Sequence, residues 1–222
     1  MKKVGIAATT LAENLSVDFQ VDGKLMRTRQ AARVRDTKLR MGRYVRLGPK
    51  AGSHVFKTGG FPRMRHGAGV VGVTIATVRA INKMAARVKG RMTGRSNFAR
   101  LAMDCSKPGH MMSLDPLVAW TKGIWDNALK DDVLELARRH AQTTAGIASD
   151  AMRSAEGAAG AYIAVLRHLA WTAPSFDSIQ TDDLDSDGIP IMLWLRQTCP
   201  RVVLSWARRR MAEMDAESSE MA

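Results

Sequence analysis

The chain has 222 residues, 45% of them hydrophobic and 5% aromatic, with two cysteines and a formal charge of +13 at pH 7. That apolar content is enough to bury a core and excludes disorder throughout, and the longest apolar run outside the N-terminus, Gly67 to Val78, falls short of the roughly 20 residues a membrane helix needs. Cys105 and Cys199 lie too far apart to suggest a disulfide framework, which points to a reducing, intracellular setting, nucleus or cytoplasm, with no membrane partner.

The opening MKKVGIAATTLA has a charged start and a short apolar run, but polar residues interrupt it and no small-x-small cleavage site follows. Abundant Ala, Met and Arg with few aromatics favour helix over sheet, because these side chains lose little rotamer freedom in a helix. The expected fold class is therefore mainly α: a helical bundle-like arrangement with a short N-terminal β element and irregular Gly-rich loops. Charge divides the chain in two. Residues 1–103 hold 22 Lys/Arg against four acids, and residues 104–222 hold 12 against 17. A basic half of that density reads as a footprint for nucleic acid.

In chain order, Asn14 to Val21 (NLSVDFQV) alternates like a short strand, and Asp22-Gly23 is a turn signal. Lys24 to Leu47 comes next as a helix on which Met26, Val34, Thr37, Met41 and Tyr44 share one narrow stripe. Its cations fill both flanks, Arg29, Arg33, Arg40 and Arg43 on one side and Arg27, Arg35, Lys38 and Arg46 on the other. Leu47-Gly48-Pro49 ends it. His54 to Lys57 is expected as a second short strand before a turn at Thr58-Gly59-Gly60-Phe61-Pro62. A second basic helix runs from Thr74 to about Arg91, with Val78, Ile81, Ala85 and Val88 inward and Arg79, Lys83, Arg87 and Arg91 recurring every four.

The second half opens at Ser113-Leu114-Asp115-Pro116, where Asp115 is placed to cap a helix and Pro116 suits its first turn. Leu117, Trp120, Ile124 and Ala128 are expected on its inner face. Asp131 and Asp132 start the next helix, with Val133, Leu136, Ala137 and His140 at helical spacing. A third, from about Ser149, uses Met152, Ala155, Ala159, Tyr162, Ile163, Leu166 and Leu169, with Gly157 and Gly160 permitting close contact. Thr172 to Gly188 reads as a mobile acidic linker, and Pro190 to Thr198 and Pro200 to about Met214 as two short helices. The expected organisation is a basic region at 1–103, a helical region at 104–171, the linker at 172–188 and C-terminal helices at 189–222.

Chemistry-bearing motifs fail on context. Gly67, Gly69 and Gly72 satisfy G-x-G-x-x-G, but no hydrophobic strand precedes them and no acid lies about 20 residues on, so a flexible or tightly packed loop is the better reading. Asp183, Asp185, Asp187 and Gly188 begin like a calcium loop, yet Pro190 stands at its eighth position and Trp194 at its twelfth, where a bidentate carboxylate belongs. Cys105 and His110 are the closest His/Cys couple and would need further ligands for zinc. No catalytic residue, metal site or cofactor is expected. All five tryptophans, Trp120, Trp125, Trp171, Trp194 and Trp206, lie in the second half, and most suit core positions. The aromatic-poor basic half suits backbone contact rather than base stacking.

Several stretches together carry a family resemblance: NLSVDF, the arginine-rich helix, Lys57-Thr58-Gly59-Gly60-Phe61-Pro62 and Gly69-Val70-Val71-Gly72-Val73. Here the chain resembles the region downstream of the polymerase palm in reverse-transcriptase polyproteins of LINE-like, non-LTR retroelements. NLSVDF would correspond to the strand closing the palm, with Ser16 where that family usually has Gly. The basic helix would correspond to a thumb gripping template and primer. Ser113 to Pro116, Trp120, Trp125-Asp126, Leu129 and Trp206 to Arg210 resemble the helical connection beyond the thumb. The aromatic-Ala-Asp-Asp turn of the palm is absent, so the resemblance implies a non-catalytic fragment with a reverse-transcriptase palm as partner. The expected function is gripping of an RNA or DNA backbone by Arg27 to Arg46 and Arg79 to Arg91. The alternative is a structural or interaction module whose basic helices bind an acidic partner or this chain's own acidic linker.

Overall fold

Helices build most of the structure, a computed structural model that describes residues 28–90, 107–128, 130–144, 155 and 157–220, with the backbone alone for 11–14, 17–20, 144 and 218–220. Strands β1 (Leu11–Asn14) and β2 (Val17–Gln20) pair antiparallel, Leu11 opposite Gln20 and Asn14 opposite Val17. The strand expected at Asn14 to Val21 is thus half of a hairpin; Asp22-Gly23 lies outside the described residues.

Helix α1 (Thr28–Arg46) docks by the expected stripe. Thr37 and Met41 are buried together with Gln30, and Val34 and Tyr44 pack half-buried on the same core, while Met26 lies outside the described residues. Gly48, at φ +80°, ends it. The next stretch departs from expectation: in place of a strand and a turn, residues 48–65 form a continuous helical rod. It runs through α2 (Gly48–Val55), a π-helical turn (Phe56–Gly60) and α3 (Phe61–Arg65). The π turn has a local cause. Pro62 has no N–H to donate and its ring would collide with the carbonyl four residues back, and the wider turn relieves both. The glycines serve close approach: a Cβ on Gly52 would stand 2.2 Å from the Tyr44 carbonyl oxygen, and one on Gly60 3.3 Å from Phe56 and Thr37.

A short helix α4 (Ala68–Val71) lies between Gly67 and Gly72, and α5 (Ile75–Val88) starts at Thr74, whose hydroxyl accepts the Thr77 N–H. Val78, Ile81, Ala85 and Val88 are buried as expected. They join Met41, Phe56, Phe61, Met64, Met84 and Met112 in the first core. Helix α6 (Pro108–Ser113) extends that core by packing on α5, its Gly109 N–H donating to Asn82 Oδ1 at 2.8 Å.

The second core begins at Leu114 and gathers α7 (Asp115–Trp125), α8 (Asp131–Thr144), α9 (Gly157–His168) and α10 (Pro200–Glu220). Tyr162 and Trp171 are fully buried in it, and Trp120 stacks on the Tyr162 ring at 4.8 Å. Tyr162, Ile163, Leu166 and Leu169 face inward as expected, and Met152 lies outside the described residues. On α8 the expected face is one residue out of phase. Leu134 and Ala141 are buried with Arg138, whereas Val133 and Leu136 are exposed. Arg138 forces that rotation, since its guanidinium reaches inward to the Ala173 carbonyl at 2.9 Å.

The segment expected as a mobile linker is folded. Strand β3 (Ser178–Leu184) pairs antiparallel with β4 (Pro190–Trp194), and Thr172 bridges to Gln180 on the other side of β3. Trp171, Ala173 and Ile179 anchor it in the core. Two of its acids are neutralised from α10, Asp183 by Arg209 and Asp182 by Arg210. The helix expected at Pro190 to Thr198 is therefore strand and turn. Buried Leu193 and Leu195 alternate with exposed Trp194 and Arg196, the period of a strand that a short apolar run conceals. The calcium-like acids close this hairpin: Asp185 Oδ1 accepts the N–H groups of Asp187 and Ile189, and Gly188 sits at φ +75°. No helix among the described residues is long and apolar enough to cross a membrane.

Candidate nucleic-acid interface

Because α1 buries a narrow stripe, most of its circumference faces solvent. Arg29, Arg35, Lys38, Arg40, Arg43 and Arg46 are exposed there. Arg33 is half-buried and donates to the His66 carbonyl at 2.9 Å, so it ties α1 to the end of α3. The one acid of the helix, Asp36, is held by Arg63 at 3.0 Å. On α5, which packs against α1, burial of the opposite side leaves an outer stripe of Ala76, Arg79, Lys83 and Arg87. Arg27 and Arg91 lie outside the described residues.

Residues 28–90 carry 15 Lys/Arg and a single acid, Asp36. Arg35, Lys38, Arg40, Arg43, Arg46, Arg79, Lys83 and Arg87 have no carboxylate partner among the described residues. The second half behaves differently. Arg138 and Arg139 clasp Glu135, Arg196 pairs with Asp131, Arg209 with Asp183, and Arg210 with Asp182 and Glu217. The Arg208-Arg209-Arg210 run thus serves largely to hold the β3–β4 hairpin. Glu135 responds strongly: hydrogen bonding from Arg138, joined by Arg139, holds its carboxyl at about 2.

Two ion-pair clusters connect the two cores. Asp115 makes no cap; it leads α7 and receives Arg65 of α3 in a bidentate pair. Burial raises the Asp115 pKa, and the Arg65 hydrogen bond and charge pull against that rise. Asp215 of α10 accepts from Lys107 at 2.5 Å and lies 3.3 Å from His110 Nδ1. Burial would raise its pKa, but the hydrogen bonds from His110 and Lys107 leave it below its ordinary value.

Sequence reasoning missed a second group of basic side chains. Lys50, His54 and Lys57 on the helical rod and Lys89 beyond α5 line one open groove with Leu47 and Pro49. The spacing of the first three, four and then three residues, is helical and was the available signal. Reading His54 to Lys57 as strand concealed it. The G-x-G-x-x-G stretch is close packing: a Cβ on Gly69 would meet Ala119 at 3.2 Å. Among the described residues no group of His, Cys, Asp and Glu is placed to hold a metal ion, and Cys105 lies outside them. Trp125 and Trp194 are exposed, far in sequence from the basic helices. No protein-family model matches this chain, and neither curated proteins nor solved structures give a significant match.

Proposed function

We propose that the basic region binds a nucleic-acid backbone, RNA or DNA, through the outer faces of α1 and α5, without reading bases and without catalysing a reaction. The observation that carries this reading is the contrast in ion pairing. Five of the eight described arginines of the second half, Arg138, Arg139, Arg196, Arg209 and Arg210, are matched to carboxylates, whereas eight of the ten cations of α1 and α5 are exposed with no carboxylate partner among the described residues, on two helices that pack together. Clustered like charge destabilises the compact state by self-repulsion, so an external polyanion is the natural counter-charge. Asp182 and Asp183 of the acidic segment do not supply it, because they are engaged by α10. Long guanidinium side chains on a convex helix suit phosphates, and the aromatic-poor surface suits contacts that are independent of sequence.

The test is binding of labelled duplexes of unrelated sequence over a range of salt. Equal affinity across sequences is expected, with log K falling linearly against log salt by about 0.9 per phosphate neutralised. A flat salt response overturns the reading. Retention of an acidic protein after nuclease treatment, with no duplex bound, would replace it by the interaction-module reading. If the thumb-like resemblance reflects origin, a reverse-transcriptase palm is the protein partner to offer in the same assay.

A further inference from the structure

The open groove beside α2 has a volume of about 980 Å³ and no acid among the described residues that line it. Three elements build it by close approach. Gly52 lets α2 lie on the end of α1, and a Cβ there would also touch Val88 of α5 at 3.3 Å. Gly90, at φ +71°, folds the chain after α5 against Pro49, where an added Cβ would stand 3.0 Å away. Lys89 is thereby carried to the rim that already presents Lys50, His54 and Lys57. Lys50 and Lys57 are exposed and have no carboxylate partner among the described residues.

Arrangement sets this cluster apart from the stripes on α1 and α5, since its basic side chains come from α2, the π turn and the end of α5 to line one open groove. Cations strung along a helix match singly charged phosphodiesters spaced along a strand. The exposed ammonium groups of Lys50 and Lys57, with the His54 imidazole on the same groove, match a more highly charged anion, and a phosphomonoester carries about −1.5 to −2 at pH 7. The wall is in part apolar: Leu47, 53% exposed, stands beside Pro49 at the mouth. A nucleoside attached to the phosphate would have a surface to lie on. The groove also lies where α1 ends at Arg46 and α5 at Val88, so the two basic faces lead to it.

We propose that this groove seats a phosphomonoester, the terminal phosphate of a nucleic-acid strand whose backbone lies along α1 and α5. The inference rests on the backbone-binding reading of those helices. Its chemistry is shared by free pyrophosphate, which serves as the competing probe.

The experiment compares short duplexes of one sequence ending in hydroxyl, 5′-phosphate or 3′-phosphate, bound to the full chain. A phosphate-ended duplex should bind about tenfold tighter than the hydroxyl-ended one, as two or three added charge-assisted contacts would give. The double variant Lys50→Gln, Lys57→Gln should lose that preference and keep most of its affinity for hydroxyl ends. Lys50→Arg, Lys57→Arg should retain it, and circular dichroism reports whether each variant folds. Inorganic pyrophosphate should abolish the preference before it displaces the duplex. Equal binding of all three ends overturns the inference and leaves the backbone reading standing. Binding of none overturns both. A preference that survives in the Gln variant places the terminal phosphate elsewhere and overturns the assignment to this groove.

Discussion

Arg65 of α3 grips Asp115, the first residue of α7, with Nε donating to Oδ2 at 2.8 Å and Nη2 to Oδ1 at 2.6 Å. The carboxylate side chain is 9% exposed and the guanidinium 42%. Removing the arginine leaves a buried acid without its counter-charge. Arg65→Ala should cost on the order of 2 kcal/mol at neutral pH, below the figure for a fully buried pair because one partner already meets water. The loss should shrink on acidification, since a protonated Asp115 tolerates burial. Arg63→Ala, at the exposed pair with Asp36, should change stability by less than about 0.5 kcal/mol. Urea unfolding of both variants at pH 7 and pH 5 measures the contrast.

Gly109 is the tightest joint between α5 and α6. A Cβ there would stand 2.5 Å from the Val78 carbonyl oxygen and 2.8 Å from Asn82 Oδ1, the atom that accepts the Gly109 N–H. The Val78 oxygen is helix backbone and the Asn82 side chain is buried, so neither has much room to yield. Gly109→Ala should destabilise by about 2 to 3 kcal/mol despite the better helix propensity of alanine. Gly123→Ala on α7, where a Cβ meets nothing within 4 Å, should be neutral or stabilising. Thermal melts of the pair separate packing from propensity.

Those two glycines show why the fold was legible in some stretches and not in others. α1 and α5 could be read because one apolar stripe alternates with charge over several turns, and because Thr74 is a cap with its partner three residues on. The rod at 48–65 could not be. Gly52 and Gly60 permit close approach to Tyr44, Phe56 and Thr37, contacts that only the fold reveals, so Gly60 looked like a turn residue. The β3–β4 hairpin was hidden in the same way, since its acids look like a solvated linker until Arg209 and Arg210 of α10 are brought to them. Arg138 turned α8 by about one residue for a carbonyl 35 positions away. For the candidate interface, the exposed arginines were legible from periodicity; the groove at Lys50, His54 and Lys57 was lost once its helix was taken for strand.

Glu135 makes the second core sensitive to acid. It accepts from Arg138 at 2.5 and 2.9 Å and from the Phe176 N–H at 3.2 Å, linking α8 to the chain ahead of β3. Its carboxyl is held at about 2, against 4.5 for an ordinary glutamate. Between those values the unfolded chain binds a proton that the folded chain does not. The contribution of this residue is therefore fully present above about pH 4.5 and is lost as pH falls towards 2. Glu135→Gln should lower stability at pH 7 and flatten the dependence below pH 4.5, measured by melting temperature at half-unit intervals of pH. An unchanged acid limb in the variant would assign the dependence to Asp215 or another carboxylate.

Unpaired and paired arginines should separate cleanly in a salt titration. Arg79, Lys83 and Arg87 stand on the outer stripe of α5, where replacement by glutamine removes charge and keeps a good helix former, so each single variant should fold within about 0.5 kcal/mol of the parent. Each side chain that neutralises a phosphate should, when replaced, weaken duplex binding uniformly across sequences and reduce the log K against log salt slope by about 0.9. Arg209 is the internal control. It bonds Asp183 and lies over the Trp206 ring at 4.7 Å, so its charge is already committed. Arg209→Gln should loosen the hairpin, seen as a lower melting temperature, and leave the salt slope unchanged. If it lowers the slope as much as the α5 variants do, the phosphate path runs over α10 and the contrast in ion pairing has been given the wrong meaning.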